Sequence, residues 1–146
     1  MYDRLIPENP NSQWDFSLYT PDVVVINLFQ NDSWIVQMPA SNEFKERFGT
    51  KAPNKEYIIA AYQQFVTKIR EHYPKAAIIC TLGSMDATKK GSKWINYIKK
   101  AVAHLNDDSI YTHFMPYKET GGHPTIKEQE LMAKSLINFI EQNIEW

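Results

Sequence analysis

Asn31–Asp32 and His123 are the residues whose types and settings point most directly to chemistry. The pair closes the stretch VVVINLFQND, which is apolar and β-branched for most of its run from Val23 to Phe29. An asparagine at the end of a strand can aim its amide N–H at a developing oxyanion, and losing one such donor costs ~10²–10³ in rate. Asn-Asp is also a good turn pair after a strand, so both readings stand at this point. His123 lies in ETGGHPTIKEQ, two residues before Thr125. Beside a helix N-terminus, partial positive charge disfavours imidazolium and leaves the ring able to accept a proton. That suits a general base, which needs a nucleophile within hydrogen-bond reach. Taken alone, a loop histidine is equally a surface residue.

The nucleophile is the gap. Ser84, in TLGSMD, echoes a Gly-Ser-x-Asp turn after a strand, and Ser33 directly follows Asp32. Neither sits in Gly-x-Ser-x-Gly. Trp34, beside Asn31, has a ring that would stack on a sugar face or pack the loop. Tyr117 and Met85 fall on strand-end loops, where they would line the same cleft. His72 and His104 sit in the last turns of helices, where a cation is favoured, and His113 lies within a strand. The four histidines and the carboxylates lack metal-ligand spacing, and the five glycines make no phosphate loop. No metal and no cofactor are expected.

These residues need elements to hold them. Pro7, Asn9, Pro10 and Asn11 make the N-terminus a loop, with Trp14, Phe16, Leu18 and Tyr19 pinning it to something. Val23–Phe29 is continuous rather than alternating, the mark of a strand covered on both faces. Residues Ser33–Lys55 read as a long irregular stretch, a functional loop or lid. A helix follows over Lys55–His72, its apolar stripe at Ile58, Ile59, Tyr62, Phe65, Val66 and Ile69. Pro74 stops it, and Ala76–Leu82 is a second strand. A second helix over Gly91–Leu105 and a third strand over Ile110–Met115 come next. The last helix opens at Thr125 with Glu128 three residues on, a capping box, its inner face formed by Met132, Ala133, Leu136, Ile137 and Ile140.

Strand–helix repeated three times gives an α/β class with a parallel sheet. With strands in chain order, two helices share one face and the last covers the other alone. Part of that face would be bare, and the first strand would offer an open apolar edge, which natural sheets avoid.

The bulk numbers fit a single domain of 146 residues, 43% hydrophobic and 23% charged. A net charge of −1 gives no basic footprint for nucleic acid and no block for an anionic membrane. No run approaches the ~20 apolar residues of a membrane span, and no signal-peptide pattern follows Met1. The single cysteine, Cys80, lies within AAIICTL as a buried, inert thiol.

Order and spacing together — PDVVVINLFQNDSW, two strand–helix units, then HPT opening a C-terminal helix — resemble the SGNH (GDSL-type) hydrolase superfamily. Within it the chain is most similar to carbohydrate esterase family 2, the acetyl (xylan) esterases, over roughly Trp14–Ile140. The resemblance implies a three-layer flavodoxin-like sandwich with Asn31 as oxyanion donor and His123 as base, acting on an acetylated carbohydrate or other small ester. It also implies a secreted or periplasmic bacterial setting. Three departures accompany it. The family's Gly-x-Asn-Asp block has Phe29 in the glycine place, and the acid three residues before the histidine is Thr120 here. The acetyl-esterase branch includes dyads without that acid, and Glu119 or a backbone carbonyl would orient His123. The family's Gly-Asp-Ser nucleophile is absent, so the expected N-terminal strands and first helix are missing. Residues 1–146 would then be a single partial catalytic domain, the C-terminal two-thirds, inactive alone. The alternatives are a non-catalytic carbohydrate-binding or interaction module and, through the open edge, a homodimer.

Overall fold

In the computed structural model, which describes residues 2–145, three parallel strands lie in the order β1 (Val23–Asn27), β2 (Ala77–Leu82), β3 (Ile110–Phe114). Val25 registers with Ile79, and Ile79 with Tyr111. Between the strands come α1 (Gln30–Ile35), α2 (Asn42–Phe48), α3 (Lys55–His72) and α4 (Trp94–Leu105), and α5 (Ile126–Asn143) closes the chain. This is the expected three-layer α/β order.

The core lies on one face of the sheet. Successive strand residues point to opposite faces, and Ile26, Ile78, Cys80, Leu82 and Ile110 join Ile58, Tyr62, Val66, Ile69 and Ile98 in one buried cluster under α3 and α4. Burial pushes the Cys80 thiol up to about 11, so it stays protonated as a small apolar filler. Among the described residues, α5 is the helix on the opposite face. Its Phe139 ring lies 4.7 Å from His113 and 6.1 Å from Tyr111, and Ser135 Oγ is 3.0 Å from His113 Nε2. Burial there holds His113 below the usual histidine range. No residue of α5 is buried, and Val25 on the free edge of β1 is 42% exposed. The bare edge and half-covered face expected from chain order are both present.

Arg70 ties three segments together. Its guanidinium donates to Asp107 Oδ2 at 2.9 Å and to the carbonyls of Tyr73, Ala76 and Ser109. It thereby fixes the end of α3, the entry to β2 and the loop before β3.

Four expectations need correction. Residues 33–55 are not irregular throughout. Ser33 to Ile35 complete α1, and Ser41 caps α2 by accepting from the Phe44 N–H, which seats Phe44 at 1% exposure. The apolar residues there are too few to show a stripe. Strand β1 stops at Asn27 rather than Phe29, because the backbone turns left-handed at Phe29. On α5, Phe139 and Ser135 face the sheet, whereas Ala133 and Ile137 are exposed. At the N-terminus Phe16 does pin the segment, stacking on His72 at 3.6 Å, but Leu18 and Tyr19 are exposed.

Candidate active site

The C-terminal end of β1 positions the first half of the site. Phe29 has φ 81°, a left-handed conformation that costs a bulky residue ~1–3 kcal/mol. Its ring is held between Tyr62 and Trp94, with centroids 4.9 Å from each. Glycine, which the related motif carries here, takes up that backbone without strain. In this chain aromatic packing holds it instead. The turn starts α1, and Asn31 is exposed in its first turn. Trp34, three residues on and therefore a neighbour on the helix surface, is 59% exposed. Nearby, the Gly83 N–H donates to Asn27 Oδ1 at 2.9 Å, lacing the ends of β1 and β2.

The second half is the loop before α5. Lys118 is buried to 9% exposure, and its ammonium donates to the Thr120 carbonyl at 2.8 Å, the Thr120 hydroxyl at 2.9 Å and the Gly121 carbonyl at 3.2 Å. The Thr120 hydroxyl in turn donates to Glu128, which accepts from the Thr125 N–H and hydroxyl in the capping box. Thr120 therefore stands in the family's acid position with its hydroxyl committed to Glu128. His123 is exposed on this braced loop.

The Thr120 and Thr125 donors hold the Glu128 carboxyl down at about 2. A depressed carboxyl contributes stability that is fully present above its unfolded value of 4.5 and is lost as pH falls through about 2. Glu128→Gln should therefore weaken the loop at neutral pH and lose less than the parent protein on acidification. Paired thermal melts at pH 7 and pH 3 check this, and an equal acid loss in both proteins would count against it. Thr125→Ala should cost ~1 kcal/mol by removing the cap.

These halves meet. A cleft of about 390 Å³ is lined by Asn31, Trp34, Met85, Tyr117 and His123, together with Gln30, Asp86, Lys118, Thr120, Gly121 and Gly122. Five residues singled out in the sequence thus share one cavity. Glu119 is exposed and is not among the lining residues. Lys118 carried no motif in the sequence, whereas Asp86 closes the Gly-Ser-x-Asp turn and Thr120 stands in the family's acid position. Lys118 could have been suspected only from its position two residues before the acid-replacing Thr120. The two candidate serines lie elsewhere. Ser33 is 3% exposed and donates to the Gln30 carbonyl at 2.7 Å, and Ser84 is 4% exposed and donates to Met132 Sδ at 3.2 Å. Among the described residues no three His, Cys, Asp or Glu side chains cluster as a metal site.

No family model matches the chain. Individual proteins do. It is 29% identical over 143 residues to the cellulase/esterase CelE of Acetivibrio thermocellus, covering 92% of this chain and 16% of that protein. It is 23% identical over 137 residues to an acetylxylan esterase / glucomannan deacetylase of Cellvibrio japonicus, covering 92% of this chain and 34% of the relative. A family two carbohydrate esterase from Clostridium thermocellum, solved in complex with cellohexaose, superposes with a TM-score of 0.70 at 30% identity, over 91% of this chain and 39% of the other. The chain thus spans well under half the length of each of these proteins. By fold and by sequence, the chain is similar to part of the family two carbohydrate esterases.

Proposed function

We propose that residues 1–146 form part of an SGNH-type esterase domain that removes acetyl groups from carbohydrate. The observation that carries this is the convergence of Asn31 and His123, from opposite ends of the chain, on one cleft beside an exposed tryptophan. A serine supplied from outside these residues attacks the acyl carbon while His123 takes its proton. Asn31 donates its amide N–H to the tetrahedral oxyanion. The C–O bond then breaks, His123 returns the proton to the sugar alcohol, and water releases acetate by the same steps. Glu119 or a backbone carbonyl orients the imidazole.

The chain alone should be inactive, and a longer chain that restores a strand carrying the nucleophile beside β1 should release acetate from acetylated xylan or glucomannan. Measurable turnover by residues 1–146 alone, or none by the longer chain, would overturn this reading.

A second reading is a non-catalytic carbohydrate-binding module. It is favoured by the burial of Ser33 and Ser84, which leaves no serine among the described lining residues of the cleft while Trp34 stays exposed. Oligosaccharide binding by residues 1–146, lost in Trp34→Ala, together with an inactive longer chain, would select it.

A further inference from the structure

Beyond Trp34 and Asp86 the cleft continues into a second, wider groove of about 690 Å³, which those two residues share with it. Lys89, Lys90 and Lys93 line this groove, with Tyr97 and Trp94 beside them. All three lysines are exposed, and among the described residues none is ion-paired. Among the described residues Asp86 is the one carboxylate in the lining, so these side chains carry an excess of two positive charges, three lysines against one aspartate. Such an excess raises the local concentration of anions.

The loop bearing the lysines is already ordered. Thr88 Oγ1 donates to the Met85 carbonyl at 2.9 Å and Ser92 Oγ to the Ala87 carbonyl at 2.6 Å. The Lys89 and Ser92 N–H groups close successive turns onto Asp86 and Lys89, and Gly91 at φ 87° supplies the left-handed residue. Capturing a ligand therefore costs side-chain ordering but little backbone ordering. The exposed Trp34 ring gives a pyranose a flat apolar surface, and the ammonium groups are placed to meet a carboxylate on the adjoining unit by charge-assisted hydrogen bonds.

We infer that the groove is a subsite for an acidic sugar. The carbohydrate bearing the ester carries uronic acid units, and Lys89, Lys90 and Lys93 hold a uronate carboxylate while the neighbouring ring stacks against Trp34. This rests on the esterase reading for the adjoining cleft, but its test does not use activity. Cellotriose and the β-1,4-linked glucuronic acid trimer differ only in the oxidation state of C6. In calorimetric titrations of residues 1–146, the acidic trimer should bind about tenfold more tightly. The preference should shrink in high salt, as exposed charges are screened. It should vanish in the triple variant Lys89→Ala, Lys90→Ala, Lys93→Ala with its melting temperature unchanged, and persist in His123→Ala. Equal affinity for the two trimers, no binding of either, or a preference that survives the triple variant would overturn the subsite. Any of those outcomes leaves the esterase reading standing, and that reading fails separately if the longer chain releases no acetate.

Discussion

Replacing His123 by alanine in a chain that also carries the nucleophile segment should lower kcat/KM for an acetylated oligosaccharide by about 10²–10⁴, the usual contribution of a general base. Asn31→Ala in the same chain should cost ~10²–10³, mostly in kcat, because the oxyanion it serves exists only in the transition state. The two losses should not multiply, since a base and an oxyanion donor that serve one step act as a unit. Trp34→Ala is the contrasting control. A residue that binds substrate and transition state alike raises KM and leaves kcat in place. If His123→Ala retained full activity, the base would have to be another group, and the convergence of the cleft residues would lose its meaning.

Arg70→Ala should be the most damaging change away from the cleft, lowering stability by about 2–3 kcal/mol. Removing one partner of a buried ion pair costs ~3–5 kcal/mol. Here the side chains of Arg70 and Asp107 are 18% and 29% exposed, which places the effect below that range. The loss also removes the guanidinium bonds to the carbonyls of Tyr73, Ala76 and Ser109, of which Tyr73 and Ser109 keep a backbone N–H donor. Arg70→Lys should recover only part of it, since one ammonium cannot reproduce the guanidinium fork. Urea denaturation midpoints give the comparison. A cost under about 0.5 kcal/mol, typical of a surface pair, would show that the three segments are held by packing alone.

The elements that bury apolar stripes were legible in the sequence. Helix α3 matches its expected span, because Ile58, Ile59, Tyr62, Val66 and Ile69 repeat at helical spacing and Asn54 and Pro74 flank them. The Thr125 and Glu128 capping box was equally plain. Helix α2 was not, since a seven-residue helix anchored by Phe44 shows no periodicity. The facing side of α5 was legible in part: Met132, Leu136 and Ile140 are half-buried, but Ala133 and Ile137 are exposed, and Phe139 and Ser135 face Tyr111 and His113 instead. In the cleft, Asn31 and His123 could be found from their settings at a strand end and a helix start. Lys118 could not, because its role depends on carbonyls that only the folded loop brings together.

The left-handed Phe29 makes the hydrophobic core and the cleft one mechanical system. A glycine at this joint would let the strand end and the following helix relax independently of the core. With phenylalanine, the direction in which Asn31 and Trp34 leave the sheet is set by how Tyr62 and Trp94 grip a ring. Sequence drift in that part of the core is therefore not silent at the surface. Substitutions at Tyr62 or Trp94 act on the chemistry as well as on folding, so in this chain the margin for neutral change is narrowest where the core touches Phe29.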